Sequence, residues 1–317
     1  MKAAMGTVHR LIMEHGVEAA RNAAETKGER QAIDAAAAIM AEEESRLGIT
    51  HAGFAMTALP HRRIEEAFWE RSGYQTILQV ESGRLPGGKL VGVPYGSLAR
   101  MILLYLQTEA IRTGSPEVEL GRSMRAWMVR MGLGDGGRTY KLVTEQARKI
   151  SACRLTFFAQ RGGLEMRQNG MFVRDAISLS GVIDDAQPSL WQDRVRLDDG
   201  FWASLREHPV PVREEALRAI GARSLALDVY IWLAYRLHVL PAQRTISWPA
   251  LYAQFGSSYK KLAHFKMRFV DSLKMATAVY PDADVELDEP GLIVRPSPPP
   301  VGPRLIAMNG ATITRVQ

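Results

Sequence analysis

Cysteine is nearly absent from this chain: Cys153 is the only one in 317 residues. A single thiol forms no intrachain disulfide and builds no cysteine-based zinc site, and it fits a reducing compartment. Long apolar runs are missing as well. No stretch approaches the roughly 20 uninterrupted apolar residues of a membrane helix, and the N-terminal segment with Lys2 and Arg10 lacks an apolar core of signal-peptide length. The expectation is a cytoplasmic protein that neither leaves the cell nor spans a membrane.

Catalytic signatures are equally scarce. The seven histidines, at positions 9, 15, 51, 61, 208, 238 and 264, form no His-x-His pair and no His-Glu-x-x-His, so no metal site is read from them. Asp184-Asp185 and Asp198-Asp199 are paired carboxylates, but they sit in polar segments near glycine or proline, where a turn explains them better than a magnesium ion does. Gly87-Gly88-Lys89 lacks the rest of a phosphate-binding loop and reads as a turn, and no Gly-x-Ser-x-Gly elbow or dinucleotide fingerprint occurs. Cys153 opens a strand pattern and reads as core. The chain is expected to have no catalytic activity, metal or cofactor.

What is present is positive charge and a pattern that occurs twice. A net charge of +6 suggests a polyanionic partner, nucleic acid before membrane. The repeated order is a long apolar helix, a short strand, a small helix ending in glycine, a basic amphipathic helix and a hairpin, first from about Tyr95 to Gly181 and again from about Glu214 to Pro296. In the first copy, Leu98, Met101, Ile102 and Tyr105 form a helical face, Val118-Glu119-Leu120 is a strand, and Ser123 caps a helix ended by Gly132. The next helix should bury Leu142, Val143, Gln146 and Ile150 and expose Arg138, Lys141, Glu145, Arg148 and Lys149. Strands are expected at Cys153–Gln160 and Met171–Ser180, with the loop between them running from Arg161-Gly162-Gly163 to Gln168-Asn169-Gly170. A lead-in strand is expected at Tyr74–Gln79.

In the second copy, Leu225, Tyr230, Trp232, Leu233, Tyr235 and Leu237 form the apolar helix and Thr245-Ile246-Ser247 the strand. Pro249 and Phe255-Gly256 bound the small helix. Ser257-Ser258 then caps a helix with Leu262, Phe265, Phe269 and Leu273 inward and Lys260, Lys261, His264 and Arg268 outward. Asp284–Leu287 and Leu292–Arg295 close the copy as a hairpin.

This order spells two tandem winged helix-turn-helix domains with a helical N-terminal extension, a mainly α fold with small β hairpins (α+β). The expected divisions are 1–50, an alanine-rich extension, helical or partly disordered; 51–187, a lead-in segment and the first winged helix; 188–296, the second; and 297–317, a proline-rich tail, with the ordered body stopping near Pro296. A helix enters the major groove best with one apolar and one cationic face. The candidate DNA contacts are Ser257, Ser258, Lys260, Lys261, His264 and Arg268 on the second helix and Arg138, Lys141, Arg148 and Lys149 on the first. Arg161, Arg167 and Arg174 around the first hairpin are candidates for phosphate contact. The second helix is the better base reader, since its outward face has no acid before Asp271 while Glu145 interrupts the first.

The stretches Gly92-Val93-Pro94-Tyr95-Gly96, Ala99-Arg100, Thr108-Glu109-Ala110, Leu120-Gly121-Arg122-Ser123, Gly136-Gly137 and Gln146-Ala147-Arg148 resemble the plasmid-encoded RepA replication initiators. The resemblance covers roughly residues 70 to 296. It implies a protein that binds repeated double-stranded DNA sequences at a plasmid origin, helps open the duplex and recruits the host initiator and helicase machinery. It also implies a monomer-dimer equilibrium and a division of labour: the N-terminal domain for dimerisation and backbone contacts, the C-terminal domain for base reading. A winged-helix transcriptional repressor, possibly acting on its own gene, is the alternative that the same helices allow.

Overall fold

The computed structural model describes residues 7–42, 46–73, 75–121, 123–134, 136–161, 164–174 and 194–302. Three helices open the chain, α1 (Thr7–His15), α2 (Val17–Ala23) and α3 (Lys27–Ala41), followed by strand β1 (Leu47–His51) and helix α4 (Ala52–Met56). Strands β2 (Phe68–Gly73) and β3 (Thr76–Glu81) lead to helix α5 (Gly96–Thr113), strand β4 (Glu117–Glu119) and helices α6 (Met124–Arg130) and α7 (Gly137–Ala152). Next come β5 (Arg154–Arg161), β6 (Leu164–Met171), β7 (Arg194–Arg196), α8 (Asp199–Glu207) and β8 (Pro209–Arg213). Helices α9 (Glu214–Ile220) and α10 (Ser224–Arg236), strand β9 (Arg244–Ser247), helices α11 (Trp248–Phe255) and α12 (Leu262–Ala278), and strands β10 (Val285–Asp288) and β11 (Gly291–Val294) follow. The class is α+β with small antiparallel sheets.

The chain divides into two compact units: Ile49–Pro209, and Met1–Gly48 together with Val210–Gln317. The middle unit is built on α5, whose Ile102, Leu103, Leu104, Leu106 and Ala110 are buried. Against such a face pack Trp127 and Met128 of α6 and Val143, Ala147 and Ile150 of α7, all fully buried or nearly so. Ser123 caps α6 by accepting from the Ala126 N–H at 3.2 Å. Its main sheet is antiparallel in the order β2-β3-β5-β6, and β4 pairs separately with β7.

Two expectations about these strands need correction. The lead-in strand is the second arm of a hairpin: β3 begins at Thr76 after Gln75, which holds φ 56 in the turn, and Tyr74 lies outside the described residues. The later hairpin turns at once, since Arg161 is registered opposite Leu164 and only residues 162–163 intervene. Gln168, Asn169 and Gly170 therefore pair with Phe157, Thr156 and Leu155 inside β6 instead of forming a loop. A Cβ on Gly170 would stand 2.8 Å from an Asp198 carboxylate oxygen, so a close approach explains this strand glycine. The Met171–Ser180 strand falls, after Arg174, outside the described residues, as does Asp184-Asp185.

Two buried polar groups fasten this unit. Arg100 donates to the carbonyls of Gly96 and Leu59, each at 2.7 Å. His51 accepts from the Gly53 N–H at 3.0 Å through Nδ1, so its Nε2 carries the proton and donates to Ser204 Oγ at 2.8 Å. Burial holds the imidazole neutral and pushes its pKa down to about 3.

The other unit centres on α10, buried from Leu225 to Ala234. The alanine-rich N-terminal residues form α1 to α3, with Ala32, Ile33, Ala35, Ala36 and Ile39 of α3 in the core. Thr26 and Glu29 close a capping box at the start of α3. Glu29 also receives Lys274 of α12 at 3.1 Å, which draws its carboxyl below the ordinary range. The sheet is antiparallel in the order β10-β11-β9, with Leu292 registered opposite both Leu287 and Ile246. The packed chain continues past Pro296: the Ser297 N–H reaches the Leu237 carbonyl at 3.2 Å, the Tyr280 hydroxyl donates to the Pro298 carbonyl, and Val301 is buried. An extended proline segment leaves its carbonyls open to such donors.

Candidate nucleic-acid interface

The second helix pair, α11 and α12, is set by its turn. Ser247 caps α11, accepting from the Ala250 N–H at 3.4 Å, and Pro249 fills the first turn. Gly256 ends the helix where a Cβ would meet the Tyr252 carbonyl oxygen at 2.6 Å. The Tyr252 hydroxyl donates to the Tyr259 carbonyl, and the Tyr259 N–H returns to the Gly256 carbonyl at 2.8 Å. These bonds hold the chain in a turn through Tyr259, so α12 starts at Leu262. Ser257 and Ser258 are therefore exposed turn residues and not caps; the N-cap is Lys261, without a side-chain bond. Lys260 likewise precedes the helix that it was expected to join.

At 3.6 residues per turn, α12 splits cleanly. Phe265, Phe269 and Leu273 point inward, with Phe269 ring to ring against Trp248 at 6.0 Å and Phe255 at 5.7 Å. Ala263, His264, Met267, Arg268 and Asp271 are exposed, as are Lys260 and Lys261 before them. Past that point the helix disappears into the core, from Met275 to Ala278. Its N-terminal half is thus the part exposed to solvent. Among the described residues, no carboxylate pairs with Lys260, Lys261, His264 or Arg268. Lys266, missed in the sequence, lies with its ammonium 4.9 Å from the Trp248 ring centroid.

The adjoining hairpin is electrostatically different. Arg295 is committed to Gln243 at 2.9 Å, Asp284 at 2.9 Å and Glu286 at 2.8 Å. The tip carries Asp288 and Glu289, so its end repels phosphate, while Arg244 at the start of β9 is exposed.

In the first pair, residues 131–136 join α6 to α7, with Gly132 at φ 70 and the Leu133 N–H donating to the Met128 carbonyl at 2.9 Å. Arg138 and Lys141 are exposed near the start of α7, beside Tyr140 and Leu142; Leu142 was expected inside. Arg148 is half-buried. Lys149 departs from expectation. Its side chain is only 5% exposed, its Nζ lies 2.9 Å from Glu145 Oε1, and its ammonium stands 4.5 Å from the Tyr95 ring centroid. Such a lysine is not available to DNA. The same pair consumes Glu145, the acid that had interrupted this face. Burial, then Glu145, raises the Tyr95 hydroxyl above its ordinary pKa, and Gln146 Oε1 accepts from the Tyr95 N–H at 2.9 Å.

Of the hairpin arginines, Arg161 and Arg167 lie on β5 and β6 with side chains outside the described residues. Arg174 is bound to Asp199 at 2.5 Å, and Asp199 also takes Arg196 at 2.9 Å. Arg196 before Arg174 pulls the Asp199 carboxyl below its usual range. Asp198 caps α8 by accepting from the N–H groups of Gly200 and Phe201. Cys153 is buried, and burial pushes its thiol up to about 12. Among the described residues no group of three or more His, Cys, Asp or Glu could hold a metal ion, and no helix is long and apolar enough to cross a membrane.

Residues 93–250 match the family described as plasmid encoded RepA protein. This stretch is similar to the plasmid-encoded RepA proteins. It takes in α5 to α10 and ends within α11, so α12 and the β10-β11 hairpin lie beyond it. Among solved structures the chain is similar to a selenomethionine derivative of domains 2 and 3 of RctB, with 9% identity over 77% of this chain and 97% of that one and a TM-score of 0.49. A second structure of RctB domains 2–3 gives 9% identity, 76% and 93% coverage and a TM-score of 0.48. No curated protein matches the sequence.

Proposed function

We propose that this protein is a plasmid replication initiator that binds repeated duplex sequences at its origin through two winged helix-turn-helix modules. The observation that carries the reading is the exposed N-terminal half of α12 and the turn before it, where Lys260, Lys261, His264 and Arg268 have no carboxylate partner among the described residues, in a chain whose residues 93–250 match the plasmid-encoded RepA family. The strand-helix-turn-helix-hairpin order around it, β9-α11-α12-β10-β11, supports the winged-helix reading. In such modules the second helix lies in the major groove and reads bases with its N-terminal residues. The order α5-β4-α6-α7-β5-β6 supports the same reading for the middle unit, with Arg138 and Lys141 placed for phosphate contact. Binding needs no catalytic group. Duplex opening, recruitment of host initiator and helicase, and a monomer-dimer equilibrium complete the proposal.

Two modules on successive major grooves, about 34 Å apart, cover a site of about 20 base pairs. Footprinting on the plasmid DNA beside the gene is expected to show protected direct repeats of that length, weakening steeply with salt as counterions are released. Absence of protection overturns the proposal. A plasmid with the origin but without this gene is expected not to replicate; normal replication leaves a repressor.

A further inference from the structure

The outward face of α12 is not uniformly polar. Met267 stands in the middle of it, 57% exposed, with Ala263 one turn before, Asp271 one turn after, and His264 and Arg268 alongside. A solvated methionine thioether gains nothing in water, and the inward face of this helix is filled by Phe265, Phe269 and Leu273 without it. Ala263, on the same stripe, presents only a methyl group, so a flat surface can approach Met267 closely.

We propose that Met267 is a specificity-determining residue that packs against the C5-methyl group of a thymine in the major groove. The inference rests on the reading of α12 as the groove helix. Thymine alone among the bases offers a methyl group there, and apolar side chains recognise it by contact and exclusion of water. Methionine suits the task, being unbranched, polarisable and adaptable to a small apolar target. The neighbouring His264 and Arg268 bring charge and donors to the same groove floor, so Met267 adds thymine preference to a contact already oriented by cations.

The test uses the full chain and a duplex that it selects from a random-sequence library, together with copies in which deoxyuridine replaces each thymidine in turn. That change deletes the methyl group and leaves every hydrogen-bonding atom in place. The wild type is expected to lose about fourfold in affinity at one position, the factor that corresponds to one buried methyl group. Met267→Ala is expected to bind the thymidine and deoxyuridine duplexes equally, while Met267→Leu keeps most of the preference. Unchanged binding of both variants to random duplex shows that they are folded. The proposal is overturned if no deoxyuridine position matters, or if Met267→Ala keeps the full preference. Should Arg268→Ala still abolish selective binding in that case, only the role of Met267 fails; should neither substitution affect the selected duplex, the reading of α12 fails with it.

Discussion

At the start of α12, Lys260 and Lys261 before the helix and His264 and Arg268 on it reach solvent without a carboxylate partner among the described residues, whereas on α7 the acid and base Glu145 and Lys149 pair with each other beneath Tyr95. The two helices share an inner logic, an apolar face pinned on a preceding helix by a glycine-containing turn. They differ in what the outer face spends its charge on. A cation bound within the fold stabilises the fold, and a cation left in water is available to a phosphate or a base edge. On the proposed function, base reading falls to α12 and a supporting role to the start of α7, where Arg138 and Lys141 remain exposed.

The largest expected effect lies where the helices are alike. Phe269→Ala on the inner face of α12 and Trp127→Ala on α6, the helix before α7, each remove a fully buried aromatic ring and are expected to cost about 3–5 kcal/mol in urea unfolding. A cost below about 1 kcal/mol at either site would break the equivalence of the inner faces.

The next effect separates the units by pH. His51, in the unit that carries α7, has its folded pKa pushed down to about 3 by burial, against an ordinary value of 6.5. The unfolded chain takes up this proton first, so its contribution is fully present above about pH 6.5 and is lost as pH falls towards 3, by up to ~1.4 kcal/mol per pH unit. His51→Gln is expected to flatten that slope; an unchanged slope would show that other groups control acid unfolding.

A smaller effect tests the charges themselves. Lys149→Ala strips Glu145 of its partner in a half-buried site and is expected to destabilise by about 1–3 kcal/mol, while Lys260→Ala at the exposed turn stays within about 0.5 kcal/mol. Equal costs would erase the distinction between a structural and an available lysine.

Much of this was legible in residue order. Periodicity located α5, α10 and the inner face of α12, with Val143, Gln146 and Ile150 of α7, and Ser123 announced its helix as a cap. What escaped depended on single side chains whose partners are distant or whose geometry is not periodic. Tyr252 reaches Tyr259 and delays the start of α12, so a serine pair that looks like a cap lies in a turn. Tyr95, more than 50 positions upstream, supplies the ring over which Lys149 is buried. Gln168-Asn169-Gly170 reads as a loop in the sequence, yet it pairs within β6 and Gly170 sits beside Asp198. The packing of the tail as far as Val301 rests on the Tyr280 hydroxyl and the Leu237 carbonyl, neither of which composition reveals.

The central claim is that α12 selects sequence and α7 supplies affinity. It is tested most directly by the ratio of dissociation constants for a selected and a random duplex, measured for Arg268→Ala and Lys141→Ala in the full chain. The account predicts that Arg268→Ala weakens the selected duplex by about 1–3 kcal/mol and collapses the ratio, while Lys141→Ala weakens both duplexes alike and lowers the salt slope by about one. A ratio that survives Arg268→Ala and collapses with Lys141→Ala would contradict it.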